Sequence, residues 1–183
     1  MDIQVDSREK SKAIKLILKE FEEQNVNYFV SKLLVGDYMN LDNPRLIIDR
    51  KQDIQELVGN INTTKEHERF RNELLRANKA GIKLIFLIEH GEEIKTLGDV
   101  YFFYQPPMQR WRWETQKGPD GTALRDAEGK VIKRRVPYMQ NAIDGKKIYK
   151  SMCTIRDRYN ADFVFCSKEE TGKKILEILS SDS

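Results

Sequence analysis

Two short blocks hold residue types suited to work on a phosphodiester bond: Gly36-Asp37-Tyr38 and Asp49-Arg50-Lys51, with eleven positions between the two aspartates. If the second block is a strand, alternate side chains share a face, so Asp49 and Lys51 project together and Arg50 projects the other way. A hairpin would bring Asp37 back towards Asp49, and Gly36 permits a bulge or sharp bend that aims a carboxylate off a regular ladder. Two carboxylates roughly 4.5 Å apart repel by about 4 kcal/mol at an effective dielectric near 20, which calls for a cation between them. Mg²⁺ or Mn²⁺ suits such oxygen ligands and would keep waters and room for a phosphate oxygen. The chemistry implied is metal-assisted hydrolysis, with Asp37 and Asp49 as metal ligands and Lys51 orienting the attacking water or offsetting charge on the phosphate. The plainer alternative is a turn aspartate after a glycine and an exposed cross-strand charge pair.

The elements that must position these residues follow from periodicity. A brief strand ends near Val5, and Ile14, Ile17, Leu18 and Phe21 then recur at helical spacing. Tyr28 to Val35 and Arg45 to Lys51 read as the arms of a hairpin, interrupted at Gly36-Asp37 and turning at Asp42-Asn43-Pro44. Helices are expected from about Asp53 to Ile61 and from Thr63 or Thr64 to Ala80, with Gly81 as the stop. Ile82 to Ile88 is nearly all apolar, as a strand buried on both faces must be. Asp99 to Tyr104 reads as a strand or packed loop. Lys146 to Tyr159, Asp162 to Cys166 and Lys168 to Leu179 read as helix, strand and helix, and Ser181 to Ser183 as a free tail.

The chain has 183 residues, 39% hydrophobic and 33% charged, a mixture suited to one globular domain over residues 1–183. No apolar run is long enough to cross a bilayer and the N-terminus lacks the pattern of a signal peptide, so no membrane partner and a cytoplasmic location are expected. Cys153 and Cys166 lack the spacing of a zinc site and read as reduced thiols. His67 and His90 are isolated and read as structural. The net charge is only +3, yet residues 106–137 carry eight basic side chains against four acidic ones. That stretch, with turn signals at Pro119-Asp120-Gly121 and Gly129, reads as a hairpin-like insertion within the domain. Arg110, Trp111, Arg112 and Trp113, together with Lys133, Arg134 and Arg135, are its candidate DNA-binding residues, since cations meet phosphates and indoles stack on unpaired bases. The alternative is a solvated hairpin whose tryptophans cover core surface.

The pattern Val5-Asp6-Ser7-Arg8-Glu9, Gly36-Asp37-Tyr38, Ile48-Asp49-Arg50-Lys51, then Arg69-Phe70 with Glu73-Leu74, resembles the nuclease domain of the XPF/MUS-type structure-specific endonucleases (excision repair cross-complementing group four). These belong to the PD-(D/E)XK superfamily. The resemblance spans roughly Asp2 to His90 by motif and implies an α/β, restriction-endonuclease-like fold: a central mixed β-sheet flanked by helices, here with the basic hairpin-like insertion. It implies a Mg²⁺- or Mn²⁺-dependent endonuclease acting on branched or flap DNA, in which Asp37 and Asp49 bind metal and Lys51 is catalytic. Asp6, Arg8, Glu9 and Arg50 match the supporting positions around the cut phosphate, and Arg69 and Glu73 the helix backing the site. Two positions depart from the pattern. The family usually has Glu where this chain has Asp49, and its acid four residues after the lysine falls on Gln55. Either a one-residue insertion realigns Glu56-Leu57 or that acid is missing.

Eukaryotic members carry a helix-hairpin-helix domain after the nuclease, and none is expected here. The short chain suggests a stand-alone module of the kind carried by phages or mobile elements. The resemblance also implies a possible homodimer, DNA as the partner and no small-molecule cofactor. Two other classes fit the same residues: a non-catalytic DNA-binding module, and a nuclease subunit that needs a catalytic partner. An RNA substrate stays open.

Overall fold

In the computed structural model, which describes residues 1–62, 64–91 and 93–181, the chain opens with strand β1 (Asp2–Asp6) and helix α1 (Lys15–Glu23). Strand β2 (Asn27–Ser31) pairs parallel with β1. Strand β3 (Tyr38–Asn40) lies antiparallel to β1 and to β4 (Asn43–Lys51). The expected hairpin is therefore built differently: its first arm is Tyr38–Asn40, and Tyr28 to Ser31 crosses over to the far side of β1 instead. The crossover needs α1 between the two parallel strands, the usual connection for such a pair. The turn is also shifted, since Asn43 and Pro44 already belong to β4.

Helices α2 (Ile54–Asn62) and α3 (Thr64–Lys79) follow, and Gly81, with φ 67°, ends the helical segment before β5 (Lys83–Glu89). Thr63, one of the candidate caps, and Asp182 and Ser183 of the expected tail lie outside the described residues. A short helix, α4 (Leu97–Val100), stands where a strand or loop was expected from Asp99 onward. The Thr96 hydroxyl accepts from the Asp99 N–H and the Asp99 carboxylate accepts from the Thr96 N–H, a capping box that outweighs the β-like Val100 to Tyr104 run. Strands β6 (Tyr104–Gln105), β7 (Met108–Thr115), β8 (Lys133–Gln140) and β9 (Ile143–Asp144) come next. Helix α5 (Gly145–Tyr159), strand β10 (Ala161–Cys166) and helix α6 (Thr171–Ser180) close the chain.

The main sheet has the order β10-β5-β4-β3-β1-β2. Of its six strands β3 runs against the other five. The carboxyl ends of β1, β4 and β5 therefore share one rim with the start of β3. On one face Ile17 and Phe21 of α1 and Ile175 and Leu179 of α6 pack on Ile3, Ile48, Ile85 and Leu87. Gly172 is needed there, because a Cβ would sit 2.7 Å from the Glu20 side chain. On the other face Phe70 of α3 meets Phe86, which stacks on Phe163, each ring pair 5.3 Å apart. Buried on both sides, β5 has the environment its apolar run requires.

Residues 104–144 form a second compact unit, and residues 1–103 with 145–183 the first. Within the second unit β7 pairs antiparallel with β8 over eight residue pairs, β6 pairs with β9, and isolated bridges Lys117–Ala123 and Arg125–Val131 extend the hairpin. In the first unit the Gly145 N–H donates to the Phe103 carbonyl at 2.9 Å, tying together the residues that flank this segment. Both cysteines are free. Among the described residues no helix is long and apolar enough to cross a membrane.

Candidate active site

Alternation along β4 sends its last residues into two polar groups on opposite faces of the shared rim. Asp49 and Lys51 point towards α3, where the Lys51 ammonium lies 2.6 Å from Asp49 Oδ1 and within 6 Å of the Phe70 and Phe86 ring centroids. Both side chains are buried, so they are not an exposed charge pair. Burial works against the charged form of Lys51, but Asp49, Asp37 and Glu56 outweigh it and hold the ammonium above its ordinary pKa. It is a cation at any working pH.

Asp37 reaches this group from the segment before β3. Its N–H donates to the Ile48 carbonyl at 2.7 Å, its carbonyl accepts from the Asp6 N–H at 2.8 Å, and its carboxylate accepts from the Arg50 N–H at 2.8 Å. Burial, followed by the charges of Asp49 and Glu9, pushes this carboxyl well above the usual carboxylate range, against the pull of Lys51 and the Arg50 N–H. Gly36 makes the approach possible. Its φ is 65°, and a Cβ there would lie 2.6 Å from Ile47 Cγ2 and 2.9 Å from the Ile48 carbonyl oxygen. The irregularity in the β3–β4 ladder falls at Met39/Asn40, so Gly36 supplies a left-handed turn and close contact rather than the bulge. Its N–H donates to Glu73 of α3 at 3.1 Å.

Arg50 faces the opposite way. Its guanidinium takes Glu89 at 2.7 Å and Glu9 at 3.0 Å, and the Tyr38 hydroxyl donates to the same Glu9 oxygen at 3.2 Å. Burial disfavours the charged guanidinium, yet Glu9 and Glu89 more than compensate and raise its pKa. Thr171 of α6 donates to Glu89 at 3.0 Å. Arg50 is thus committed to an internal network rather than to the Asp49 and Lys51 face. Glu9 precedes α1 by six residues, so it does not serve that helix's opening turn.

Asp6, fully buried at the end of β1, is held by both sides of Arg8 at 2.7 and 2.9 Å and by the Leu33 and Arg8 N–H groups at 2.7 Å. Burial alone would raise its pKa, but these donors lower it. Asp6 Oδ1 is taken up by Arg8, and Oδ2 joins β1 to the chain after β2 through the Leu33 N–H.

Of the other expected residues, Glu73 touches the site through Gly36, whereas Arg69 is exposed on α3 and pairs with Glu66 at 3.6 Å. Glu56 is exposed at the start of α2, where its carboxylate accepts from the Gln52 N–H at 3.0 Å while its own N–H donates to Asp53. Arg110, Trp111, Arg112, Trp113, Lys133, Arg134 and Arg135 lie on β7 and β8 of the second unit. The two tryptophans are 52% and 68% exposed. His90 stacks edge-on to Phe103, and burial lowers its pKa, consistent with a structural, neutral ring. Glu89 and Thr171 are the participants that sequence reasoning missed, and Tyr38 was named in its motif without a role. An acid closing an apolar strand was the one available sign of Glu89.

Among the described residues no group of three or more His, Cys, Asp or Glu side chains is arranged to hold a metal ion. What the chain offers is the Asp37 and Asp49 pair, oxygen donors whose mutual repulsion helps to raise Asp37. That donor set fits a hard divalent cation such as Mg²⁺, which binds through one or two carboxylates and retains several waters.

The family model described as the ERCC4 domain matches residues 5–178. Among solved structures, XPF from Aeropyrum pernix is similar over 98% of this chain and 63% of that one, with 14% identity and a TM-score of 0.57. The same organism's XPF in complex with DNA is similar over 99% of this chain and 68% of that one, with 13% identity and a TM-score of 0.54. At such identities the likeness is one of fold, and the chain spans less than two thirds of the first of these structures. No curated protein matches it.

Proposed function

The chain belongs to the ERCC4 domain family, and from that premise we propose that it is a divalent-metal-dependent endonuclease that hydrolyses DNA, with branched or flapped DNA as its substrate class. The observation that carries this reading is the meeting of Asp37, Asp49 and Lys51 on one face of the rim. Ligands in open parallel sheets bind outside the carboxyl ends of the strands, and this group sits there.

Asp37 and Asp49 would hold Mg²⁺ or Mn²⁺, and the bound ion would supply Lewis acidity to the phosphodiester and lower the pKa of the attacking water. Lys51 remains charged and sits against Asp49, where it would orient that water and offset charge building on the phosphoryl oxygens. Arg50, Glu9 and Glu89 are positioning residues: their network fixes the end of β4 and hence the direction of its neighbours. Asp6 with Arg8 clamps the start of the site, and Glu73 supports the Gly36 turn. Basic residues of the hairpin would meet DNA phosphates.

The test is cleavage of labelled flap, fork, single-stranded and duplex DNA by wild type and Asp49→Ala, in Mg²⁺, in Mn²⁺ and in EDTA. The expected result is metal-dependent cutting by wild type alone, favouring flap or fork. Binding without cutting in every metal would replace this reading with a docking module.

A further inference from the structure

The register of β7 and β8 sorts the interleaved cations and aromatics into two unlike faces. Residues directly paired in an antiparallel ladder share a face, and the pairs run from Met108–Gln140 to Thr115–Lys133. Arg110, Arg112 and Glu114 therefore lie together with Arg134, Val136, Tyr138 and Gln140. On this face Arg112 is bonded to Glu114 at 2.6 Å and lies over the Tyr138 ring, and Arg110 donates to Gln140 at 3.0 Å. Arg110 and Arg112 are thus engaged within the face, and Arg134 stands opposite the same Glu114 that Arg112 holds.

The opposite face carries Trp111 and Trp113 with Pro137, Met139, Arg135 and Lys133. The strand segments Met108–Thr115 and Lys133–Gln140 place no acid on it, and among the described residues neither Lys133 nor Arg135 has an ion-pair partner. Both indoles are more than half exposed, Met139 is 65% exposed, and the Arg135 guanidinium sits 5.5 Å from the Trp111 ring centroid.

We propose that this tryptophan face binds unpaired bases of single-stranded DNA, with Lys133 and Arg135 on the flanking phosphates. It rests on the DNA-acting reading above and specifies the polymer state that the second unit takes. Two flat apolar rings beside uncompensated positive charge match a ligand that is planar and apolar in its bases and anionic in its backbone. Positions i and i+2 of a strand are roughly 6.8 Å apart. That equals about two base-stacking intervals of 3.4 Å, a spacing that admits one base between the indoles. In a duplex the faces of the bases are covered by their neighbours, so the rings discriminate in favour of unpaired DNA.

The chain's two tryptophans are both on this face, so intrinsic fluorescence of the full-length protein reports on it directly. Wild type in EDTA is titrated with a twelve-residue oligo(dT) and with a duplex at equal nucleotide concentration, and variant affinities are read by anisotropy of labelled oligo(dT). The expected result is quenching by oligo(dT) with little response to duplex. Trp113→Ala should weaken oligo(dT) binding about tenfold, while Trp113→Phe keeps most of the affinity. Lys133→Ala with Arg135→Ala should flatten the slope of log affinity against log salt by roughly 1.4, the release expected for two phosphate contacts on a single strand. Equal quenching by duplex and oligo(dT), or an unchanged affinity in Trp111→Ala/Trp113→Ala, would overturn the proposal. So would a response to anionic vesicles with none to oligo(dT). Binding of oligo(dT) by a protein that never cuts would sink the nuclease reading alone, and cutting without any tryptophan response would sink this one alone.

Discussion

Arg50 on β4 reaches Glu89 on the neighbouring β5 at 2.7 Å, and the same guanidinium holds Glu9 at 3.0 Å. One buried cation thus joins two strands and the turn after β1. Removing it would leave two carboxylates in a poorly hydrated space. Arg50→Met is expected to lower stability by about 3–5 kcal/mol, the usual cost of stranding buried partners. Urea denaturation in EDTA measures it, and a midpoint equal to wild type would show that the network contributes nothing.

Asp37 is the opposite case, a carboxyl held in place despite burial and two like charges, Asp49 and Glu9. Asp37→Asn keeps the shape and the acceptor for the Arg50 N–H while removing the repulsion. In EDTA this variant should gain about 1 kcal/mol of stability, as residues kept for function often yield on replacement, and should show no metal-dependent cleavage. A destabilised Asp37→Asn in the same denaturation experiment would contradict the charge argument.

Asp6 sets a pH dependence. Its folded-state pKa lies below the ordinary aspartate value of 3.8, so its contribution is fully present above that value and is lost as pH falls through the folded pKa. The stability difference between wild type and Asp6→Asn should therefore be flat near neutrality and shrink below about pH 4. Thermal melts from pH 7 down to pH 3 test this. A difference that grows on acidification has the wrong sign.

Gly36→Ala should damage both fold and site. The residue occupies φ 65°, and a methyl group would collide with Ile47 and the Ile48 carbonyl. A loss of about 1–3 kcal/mol is expected from the backbone conformation alone, with displacement of Asp37 adding a fall in cleavage. Retained cleavage at wild-type stability would show that the turn relaxes freely.

Asp37, Asp49 and Lys51 were legible because strand alternation depends only on local geometry, and Gly36 announced a special backbone. The helices were legible for a similar reason, since Ile14, Ile17 and Phe21 repeat at the helical period. The pairing of β2 with β1 was not, because nothing in Tyr28 to Ser31 states which strand it will join across α1. Glu89 and Thr171 were hidden by distance along the chain. Glu89 meets Arg50 only through the β4–β5 register, Arg50 opposite Leu87, and Thr171 reaches Glu89 only because α6 folds back over the sheet. The division of the hairpin's arginines is of the same kind: a slip of one residue between β7 and β8 would exchange one strand's faces relative to the other.

The tie between Phe103 and Gly145, with β6 paired to β9 just beyond it, means that the hairpin segment leaves and re-enters the rest of the chain at a single doorway. A few-residue turn could span that opening at little loop-closure entropy. Residues 104–144 therefore have the anatomy of a cassette, one that could be exchanged for another while the strand ends of the rim keep their register.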